Sequence, residues 1–300
     1  MTKVICLGLA VWDQIFTLEH LPSGGGKNFA KSFTEVGGGP AATAAAAAAR
    51  LGAETALWSR VGEDDVGRRI LADLQSYGVD TANVRRFPNR NSGLAVVLID
   101  AAGERMIVTP GDPGLDGDPA WLPLEQVAAA DVVLADLRWP QGAKSLLAAA
   151  RQSGTTSVLD ADLTSEPEAI APLVEAASHV VFSAPALRAF TGQEDARAGL
   201  AAARSKTQGI VAVTAGAEGC FWIDGEGNSG HQPAFPVTVV DTLGAGDVFH
   251  GAFALALGER QPLAEAMRFA TAAAALKCTR PGGRAGTPSR AELEKFLQEN

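Results

Sequence analysis

The sequence is poor in cysteine, histidine and positive charge. Three cysteines occur in 300 residues, Cys6, Cys220 and Cys278, and no two have Cys-x-x-Cys spacing, which argues against a disulfide framework or a zinc site. The four histidines do not have metal-ligand spacing either. The chain has 25 Lys and Arg against 34 Asp and Glu, a formal net charge of -9. Since a nucleic-acid-binding surface is basic, we expect no nucleic-acid partner. A local basic pocket for a small anion is still compatible with this charge.

Long apolar runs are absent as well. No apolar run reaches about 18 residues without Gly, Arg or a charge, so the sequence predicts no membrane span. The first residues, Met-Thr-Lys-Val-Ile-Cys-Leu-Gly, lack the length and polarity layout of a signal peptide. We therefore expect a cytoplasmic protein without a membrane partner. Hydrophobic residues make up 47% of the chain, which is enough for a large core in a single domain over residues 1–300.

Short apolar runs alternate with helical segments along most of the chain. Strands are predicted at Val4–Leu9, 54–61, Val132–Asp136, Ser157–Asp160, His179–Ser183 and Ile210–Thr214, and helices at 41–51, 65–77, 142–153 and 194–207. This alternation predicts an α/β fold with a mostly parallel central sheet and helices on both faces. Residues 14–36 and 92–110 differ, because consecutive strands follow each other there without a helix. They predict a small group of β-strands beside the main sheet.

Two glycine-rich turns open helices. Gly37-Gly38-Gly39-Pro40 leads into an alanine-rich helix, which is either a tightly packed core helix or a helix whose glycine backbone approaches a ligand. A predicted strand at Val237–Val240 leads into Gly244-Ala245-Gly246, whose N–H groups and helix dipole would suit an anion. Asp247 in the next position is either a helix cap or a general base. Spacing alone leaves both alternatives open.

The two turns carry a family resemblance. Asp-Thr-Leu-Gly-Ala-Gly-Asp-Val-Phe at 241–249 resembles the C-terminal signature of the ribokinase-like (PfkB) carbohydrate kinases, and residues 38–52 resemble their N-terminal signature. The resemblance runs over nearly the whole chain. It implies a three-layer ribokinase-like fold with a β-strand lid, ATP and Mg²⁺ as cofactors, and transfer of the γ-phosphoryl group to a sugar hydroxyl. It also implies a homodimer formed through the lid.

The resemblance implies roles for individual residues. Asp247 corresponds to the catalytic base, and Gly244, Ala245 and Gly246 correspond to the anion hole around the transferred phosphoryl group. The positions that correspond to sugar contacts are Asp13, Gly38, Gly39 and Thr43. Those that correspond to nucleotide contacts are Thr214, Gly216, Gly219, Ala274 and Cys278. Phosphoryl transfer needs mainly positioning and charge stabilisation, which such a set supplies.

The chain departs from the family pattern at two of its motifs. Thr43 replaces the usual Asn, and the Asn-x-x-Glu element, which organises magnesium, reads Ser183-Ala184-Pro185-Ala186. The metal ligands are therefore unknown, with Asp160 and Asp162 as the nearest candidates. The missing carboxylate raises the alternative of a sugar-binding sensor without catalysis, although Asp247 and the 244–246 turn are intact.

The acceptor sugar depends on two cations. Lys27 on the predicted lid and Arg138 beside Trp139 are either surface charges or ligands for an anionic substituent such as phosphate or sulfonate. Residues 35–43, 136–139, 232–235 and 275–286 closely resemble the 6-deoxy-6-sulfofructose kinases of sulfoglycolysis, which phosphorylate the C1 hydroxyl. Thr109 stands where that subfamily has Asn. We therefore expect sulfofructose as the acceptor, with fructose, fructose 6-phosphate and ribose as alternatives.

Other catalytic motifs are missing from the sequence. There is no Gly-x-x-x-x-Gly-Lys-Ser/Thr sequence, which excludes a P-loop enzyme. Gly8-Leu9-Ala10 after the first strand lacks the Gly-x-Gly-x-x-Gly fingerprint, which argues against a nicotinamide-dependent dehydrogenase. His250, three residues after Asp247, is expected to have a packing or solvent role rather than to face the nucleotide.

Overall fold

The computed structural model describes residues 1–102, 104–109, 113–115, 117–164 and 170–300. The strands of this part of the chain are β1 Lys3–Leu7, β2 Val11–Thr17, β3 Ser32–Gly38, β4 Glu54–Gly62, β5 Val84–Phe87, β6 Gly93–Ile99, β7 Arg105–Val108, β8 Val132–Ala135, β9 Thr156–Ala161, β10 His179–Ser183, β11 Ile210–Thr214, β12 Cys220–Ile223 and β13 Ser229–Gln232. The α-helices are α1 Pro40–Arg50, α2 Asp65–Ser76, α3 Pro140–Ser153, α4 Ile170–Ala176, α5 Ala184–Thr191, α6 Ala196–Arg204, α7 Ala245–Gly258, α8 Leu263–Cys278 and α9 Arg290–Glu299.

The large sheet has nine strands in the order β13-β12-β11-β10-β9-β8-β1-β4-β5. From β11 to β5 every neighbouring pair is parallel, whereas the pairs β11–β12 and β12–β13 at one edge are antiparallel. The predicted α/β fold is confirmed, because the strands that the alternation predicts all lie in this sheet. Their carboxyl ends meet at one edge, where ligands of such sheets bind.

Helices cover both faces of the large sheet. Side chains along β1 alternate between the two layers, with Val4 and Cys6 in one core and Ile5 and Leu7 in the other. The first core also contains the buried residues of α1, α7 and α8, and the second contains those of α3 to α6. Such a strand, buried on both faces, is continuously apolar. Within the ranges given above, no helix has the length and apolar character needed to cross a membrane.

Helices α1 and α7 pack with their backbones almost in contact. A Cβ atom at Gly251 of α7 would overlap the carbonyl oxygen of Ala44 in α1. Every residue of α1 from Ala41 to Ala48 is buried. The alanine-rich helix is therefore a close-packed core element, because alanine side chains leave room for this approach. The packing brings the amino ends of α1 and α7 together at the carboxyl edge of the sheet.

The second, four-stranded sheet, here called the lid sheet, has the order β3-β2-β6-β7. Strand β2 pairs antiparallel with β3 and parallel with β6, and β6 forms a hairpin with β7. The predicted ranges 14–36 and 92–110 contain most of these strands. Residues 103 and 110 of the second range lie outside the described residues. Because β2 follows β1 directly and β3 leads directly into α1, the lid sheet borders the carboxyl edge of the large sheet.

The predicted strand at Val237–Val240 is wrong. Residues 233–241 have no regular structure, and Val239 and Val240 are exposed. Pro233 and Pro236 remove two backbone donors that a sheet would need. The N–H of Val240 donates instead to the carbonyl of Cys278 at 2.8 Å. The segment thus runs along the end of α8 rather than beside another strand.

Candidate active site

All five predicted nucleotide-binding residues line one cavity of about 650 Å³. They come from three parts of the chain: the end of β11, the loop that follows it, and the last two turns of α8. The residues are Thr214, Gly216, Gly219, Ala274 and Cys278. Ala245 and Gly246 line the same cavity at the amino end of α7. The cavity thus joins an apolar compartment to a helix N-terminus, an arrangement suited to a base and a phosphate chain.

The apolar wall of this cavity contains residues that the sequence analysis did not assign. Phe235, Val237 and Val239 of the irregular 233–241 segment contribute to it, together with Phe249 of α7. Gly219 has a positive φ of 89°, and a Cβ atom there would overlap the carbonyl of Gln232. The Gln-Pro-Ala-Phe motif therefore lies against the glycine loop. In the sequence, the signal for this contact was the family resemblance that includes residues 232–235.

The glycine turn before α7 has the left-handed conformation that its sequence suggests. Gly244 is the N-cap with φ 76°, and the N–H of Ala245 donates to Thr242 O at 3.2 Å, which closes the turn. Gly246 and Asp247 belong to the first helical turn, whose N–H groups have no intrahelical acceptor. The N-cap position belongs to Gly244, and Asp247 is the third residue of the helix. Asp247 is therefore not the N-cap residue, although it is an acidic residue of the first turn.

Asp247 lies in a cluster of acidic groups. Burial raises its pKa to about 7, helped by the charges of Asp160, Asp162 and Asp136, whereas His250 acts in the opposite direction. Burial also raises the pKa of Asp160 well above its ordinary value. A carboxyl group with a pKa near neutrality can take up and release a proton at physiological pH, as a general base must.

His250 is buried beneath Asp247 rather than solvent-exposed. Its Nδ1–H donates to the carbonyl of Gly246 at 2.7 Å, and its Nε2 is 3.5 Å from Asp160 Oδ1. Burial lowers the pKa of the imidazole, against the charge of Asp247. The predicted packing role fits this position, and the histidine links α7 to the end of β9.

The predicted sugar-contact residues lie near the glycine turn that precedes Asp247. A Cβ atom at Gly38 would overlap the carboxylate of Asp13. A Cβ atom at Gly244 would lie 3.5 Å from Thr43 Cγ2 and 3.8 Å from Asp247 Oδ2. Burial raises the pKa of Asp13 to about 6, although the charge of Arg284 opposes the shift. The structure thus packs Asp13 of β2 against the end of β3 and places Thr43 of α1 beside the glycine turn that precedes Asp247.

A buried carboxylate fixes this corner. Oδ2 of Asp136 accepts hydrogen bonds from the N–H groups of Leu9 at 2.8 Å and Ala41 at 3.1 Å. The left-handed Gly39, at φ 92°, fits against the carbonyl of Leu9, where a Cβ atom would collide. Asp136 therefore ties β8 to the end of β1 and the start of α1. From the sequence, Asp136 was identified as the end of a predicted strand and as part of residues 136–139, without a role of its own.

The two predicted anion-binding cations differ in their surroundings. Lys27 lies exposed on the connection between β2 and β3, with no hydrogen bond or ion pair to another residue of the described chain. Arg138 follows β8, donates from Nη1 to Leu163 O at 2.7 Å, and places Nη2 3.4 Å from Asp162 Oδ2. Only Arg138 therefore lies beside the acidic cluster.

A second arginine, missed from the sequence, lies next to Arg138. The guanidinium of Arg60 in β4 stacks on Trp139 at 4.1 Å and donates to the carbonyls of Leu115 and Arg138 at 2.6 and 3.5 Å. Thr109, the residue after β7, donates its hydroxyl to Leu94 O in β6 at 2.9 Å. Positive charge at this end of the site is thus carried by Arg60 and Arg138 together.

The carboxylates near Asp247 suit a magnesium nucleotide better than a free metal ion. No group of three or more His, Cys, Asp or Glu residues in the described ranges could hold a metal alone. Asp160 and Asp162 come from the end of β9, and Asp162 accepts the Ser183 hydroxyl at 2.8 Å. Mg²⁺ in kinase sites uses one or two carboxylates together with substrate phosphates. The residues present fit that arrangement.

Arg284 is a deeply buried charge at the sugar side, and sequence reasoning gave it no role. It is 1% exposed, donates from Nε to Gly37 O at 2.7 Å and from Nη2 to Gly38 O, and places Nη1 3.3 Å from Asp73 Oδ2. A single arginine in a Gly-Gly-Arg-Ala-Gly sequence carries no periodic signal. Only the fold shows that it supports the strand beside Asp13.

The cavity, the amino end of α7 and the buried carboxyl group of Asp247 together suit phosphoryl transfer to a small hydroxyl acceptor. The model of the pfkB family carbohydrate kinase matches residues 1–290, and the chain belongs to this family. It is therefore an ATP-dependent carbohydrate kinase. The predicted family and enzyme class are confirmed.

Several relatives extend over the whole chain. The ribokinase of Bacillus subtilis (strain 168) is 30% identical, and the match covers 99% of this chain and all of that protein. A solved structure of a ribokinase-like protein from Agrobacterium tumefaciens is 39% identical, with a TM-score of 0.95 and coverage of 99% and 98%. The ribokinase of Arabidopsis thaliana, solved with ribose and ATP, is 28% identical, with a TM-score of 0.86 and the same coverage.

Proposed function

We propose that this kinase transfers the γ-phosphoryl group of ATP to an anionic ketose, 6-deoxy-6-sulfofructose, at its C1 hydroxyl. The observation that carries the proposal is Arg138, which lies beside the acidic cluster with Arg60 next to it. A guanidinium binds a tetrahedral anionic group through two parallel hydrogen bonds. Lys27, on the connection between β2 and β3 of the lid sheet, would be a further cation for the same anionic group.

The proposed mechanism assigns each part of the site one task. Asp247 takes the proton from the sugar hydroxyl, whose oxygen then bonds to the γ-phosphorus while the bond to the leaving ADP oxygen breaks. The turn of Gly244, Ala245 and Gly246, with the amino end of α7, stabilises the charge on the transferred group. Mg²⁺, when bound to the nucleotide, neutralises phosphate charge. Asp160 and Asp162 are the residues that would hold it.

The substrates are assigned to two compartments. Asp13, Gly38, Gly39 and Thr43 hold the sugar hydroxyls, and the cavity that contains Thr214 holds adenosine. We propose that the lid sheet closes over the bound sugar, because the exclusion of water suppresses hydrolysis of ATP. We also place the enzyme in the cytoplasm, where ATP is the available phosphoryl donor.

Ribose is the main alternative acceptor. The relatives from Bacillus subtilis and Arabidopsis thaliana are named ribokinases, and neutral furanoses or ketoses would need neither Lys27 nor Arg138. Fructose and fructose 6-phosphate belong to the same alternative. A sensor without catalysis is disfavoured, because Asp247 and the 244–246 turn are both intact.

The deciding experiment measures ADP release with ATP and magnesium for sulfofructose, fructose 6-phosphate, fructose and ribose. The proposal predicts the highest kcat/KM for sulfofructose and no sugar-dependent ADP release in Asp247→Asn, while that variant still binds the sugar. Preference for ribose or fructose would overturn the sulfosugar assignment and leave the kinase mechanism intact. Sugar binding without turnover in the unmodified protein would support the sensor instead.

We further propose that the lid sheet forms a homodimer. Its exposed residues include Phe33, Met106, Ile107 and Val108, and Phe29, on the connection that leads into β3, is 88% exposed. An apolar surface of this kind marks an interaction site. Strand β7 is moreover an edge strand with unpaired backbone groups, which favours pairing with a second chain.

A further inference from the structure

A buried lysine lies directly behind the glycine turn. Lys277, in the last turn of α8, has a side chain that is 0% exposed. Its Nζ donates to the backbone carbonyl of Asp241 at 2.8 Å and is 3.2 Å from Asp241 Oδ2. Burial lowers the pKa of the ammonium group, while the Asp241 carboxylate acts against that shift. None of the roles described above uses this charge.

The carboxylate that Lys277 contacts joins two loops. Oδ1 of Asp241 accepts the N–H of Leu243 at 2.8 Å, and Oδ2 accepts the N–H groups of Gly282 at 2.9 Å and Gly283 at 3.3 Å. Burial alone would raise the pKa of Asp241. The hydrogen bond from Leu243 and the charge of Lys277 outweigh burial, so the pKa of Asp241 lies below its ordinary value. Asp241 is therefore a fixed anion between the two loops.

The same contacts set the position of the glycine turn. Leu243, which donates to Asp241, is the residue before Gly244. The position of a Cβ atom at Gly244 lies 3.8 Å from the backbone of Gly283, which places the second loop against the turn. Any movement of the Asp241 carboxylate would therefore displace the N–H groups that follow Gly244.

We propose that Lys277 is a positioning residue for phosphoryl transfer, whose ammonium group holds Asp241 and thereby orients the N–H groups of the 244–246 turn. This inference rests on the proposed role of that turn. A buried ion pair stabilises a fold poorly compared with apolar residues of the same volume. Fixed dipoles aimed at developing charge, in contrast, contribute strongly to catalysis. The placement of Lys277 behind the turn serves the second purpose.

The first test compares Lys277→Met with Lys295→Met, in which an exposed lysine of α9 is removed. We expect Lys277→Met to lower kcat at least about tenfold, as loss of one oriented donor does. The KM values for sugar and ATP should change less than about threefold, within ordinary variation of a binding contact. A folded Lys277→Met with unchanged kcat would overturn the proposal.

A second readout does not depend on turnover. Calorimetry would measure the affinity for ADP alone and for ADP with fluoroaluminate, which mimics the transferred phosphoryl group. The proposal predicts weaker fluoroaluminate binding in Lys277→Met, by about the same factor as kcat, with ADP affinity unchanged. Equal affinities in both proteins would contradict it. If the unmodified protein phosphorylated no sugar, the proposed function would fail while this comparison still tested Lys277.

Chemical rescue separates positioning from folding. Lys277→Ala removes the part of the side chain that n-propylammonium replaces, and we expect this cation to restore kcat. Tetramethylammonium at the same ionic strength has the charge but no N–H donor and should not restore it. If neither single variant folds, Asp241→Asn/Lys277→Met removes both charges, and this folded double variant should show the same loss of kcat. Full kcat in the double variant, or equal rescue by both cations, would reject the proposal.

Discussion

The carboxylate of Asp13 occupies the space that a side chain at Gly38 would need. A Cβ atom at Gly38 would overlap both the carboxyl carbon and its oxygens. Asp13 lies on β2 and Gly38 lies at the end of β3 in the lid sheet. The glycine is thus required by a neighbouring acid rather than by backbone conformation, since its φ is not in the left-handed region.

Gly38→Ala should therefore impair sugar binding. The added methyl group displaces the Asp13 carboxylate, and we expect the sugar KM to rise about tenfold, roughly 1.4 kcal/mol, with the KM for ATP unchanged. Steady-state kinetics with each substrate varied would show this. Gly225→Ala is the control, because a Cβ atom at Gly225 meets nothing within 4 Å. Equal KM values in Gly38→Ala and the unmodified enzyme would remove Asp13 from the sugar site.

Asp247 should give the reaction an acid limb near pH 7. Burial raises its pKa to about 7, and only the ionised carboxylate accepts a proton. The value of kcat/KM should accordingly fall about tenfold for each pH unit below the pKa. Measuring kcat/KM from pH 5.5 to 8.5 with the proposed acceptor sugar tests this dependence. A flat profile in this range would argue against Asp247 as the base.

The same shift predicts a stability effect of opposite sign. Because the pKa of Asp247 is higher in the folded chain than its ordinary 3.8, the folded state binds the proton more tightly, and stability decreases as the pH rises from about 4 to 7. Asp247→Asn removes this dependence. We expect the variant to melt at a higher temperature than the unmodified protein at pH 8, with a smaller difference at pH 5. A lower melting temperature at pH 8 would contradict the burial argument.

Arg138→Ala should discriminate between acceptor sugars. Loss of a charge-assisted hydrogen bond of about 1.5–3 kcal/mol corresponds to a rise of about 10- to 150-fold in the KM for an anionic sugar. The KM for fructose should stay nearly constant. Arg151→Ala, on the exposed end of α3, serves as the control for charge removal. An equal loss on both sugars would show that Arg138 acts through Asp162 instead of binding the anion.

Arg284 and Arg280 offer a matched comparison of buried and surface charge. Arg284→Met leaves Asp73 and two carbonyls without their buried partner and should destabilise the fold by about 3–5 kcal/mol. Arg280 pairs with Glu292 at 2.8 Å at the surface, so Arg280→Met should cost less than about 1 kcal/mol. Urea denaturation measures both free energies of unfolding. Similar losses in the two variants would mean that burial does not amplify the Arg284 contacts.

The lid-sheet dimer can be tested by solution mass. The chain has a mass of 30.9 kDa, and light scattering should give about twice this value. Ile107→Glu places a charge on the exposed edge strand β7 and should shift the mass to that of the monomer. Gln208→Glu, near the amino end of β11, adds a charge elsewhere and should leave the dimer intact. A monomeric unmodified protein would refute this interface.

The layers of the fold and the chemistry of the glycine turns can be predicted from the amino-acid sequence alone. Apolar runs buried on both faces predict parallel strands, because each such strand must be covered by helices. The Gly-Ala-Gly-Asp motif predicts a helix N-terminus with an acidic residue in its first turn, because such a turn depends only on local backbone geometry. The five positions assigned to nucleotide binding came from the family resemblance, and they line one cavity.

Tertiary structure decided which distant charges support that site. Arg284 reaches Gly37 across 247 positions, and Lys277 reaches Asp241 across 36. No periodicity encodes such pairs, because each depends on where separate loops meet after folding. The irregular path of residues 237–240 was decided in the same way, by the carbonyl of Cys278 at the end of α8. Burial then set the pKa of Asp247, because the charge of a carboxylate is costly only once the surrounding chain has excluded water.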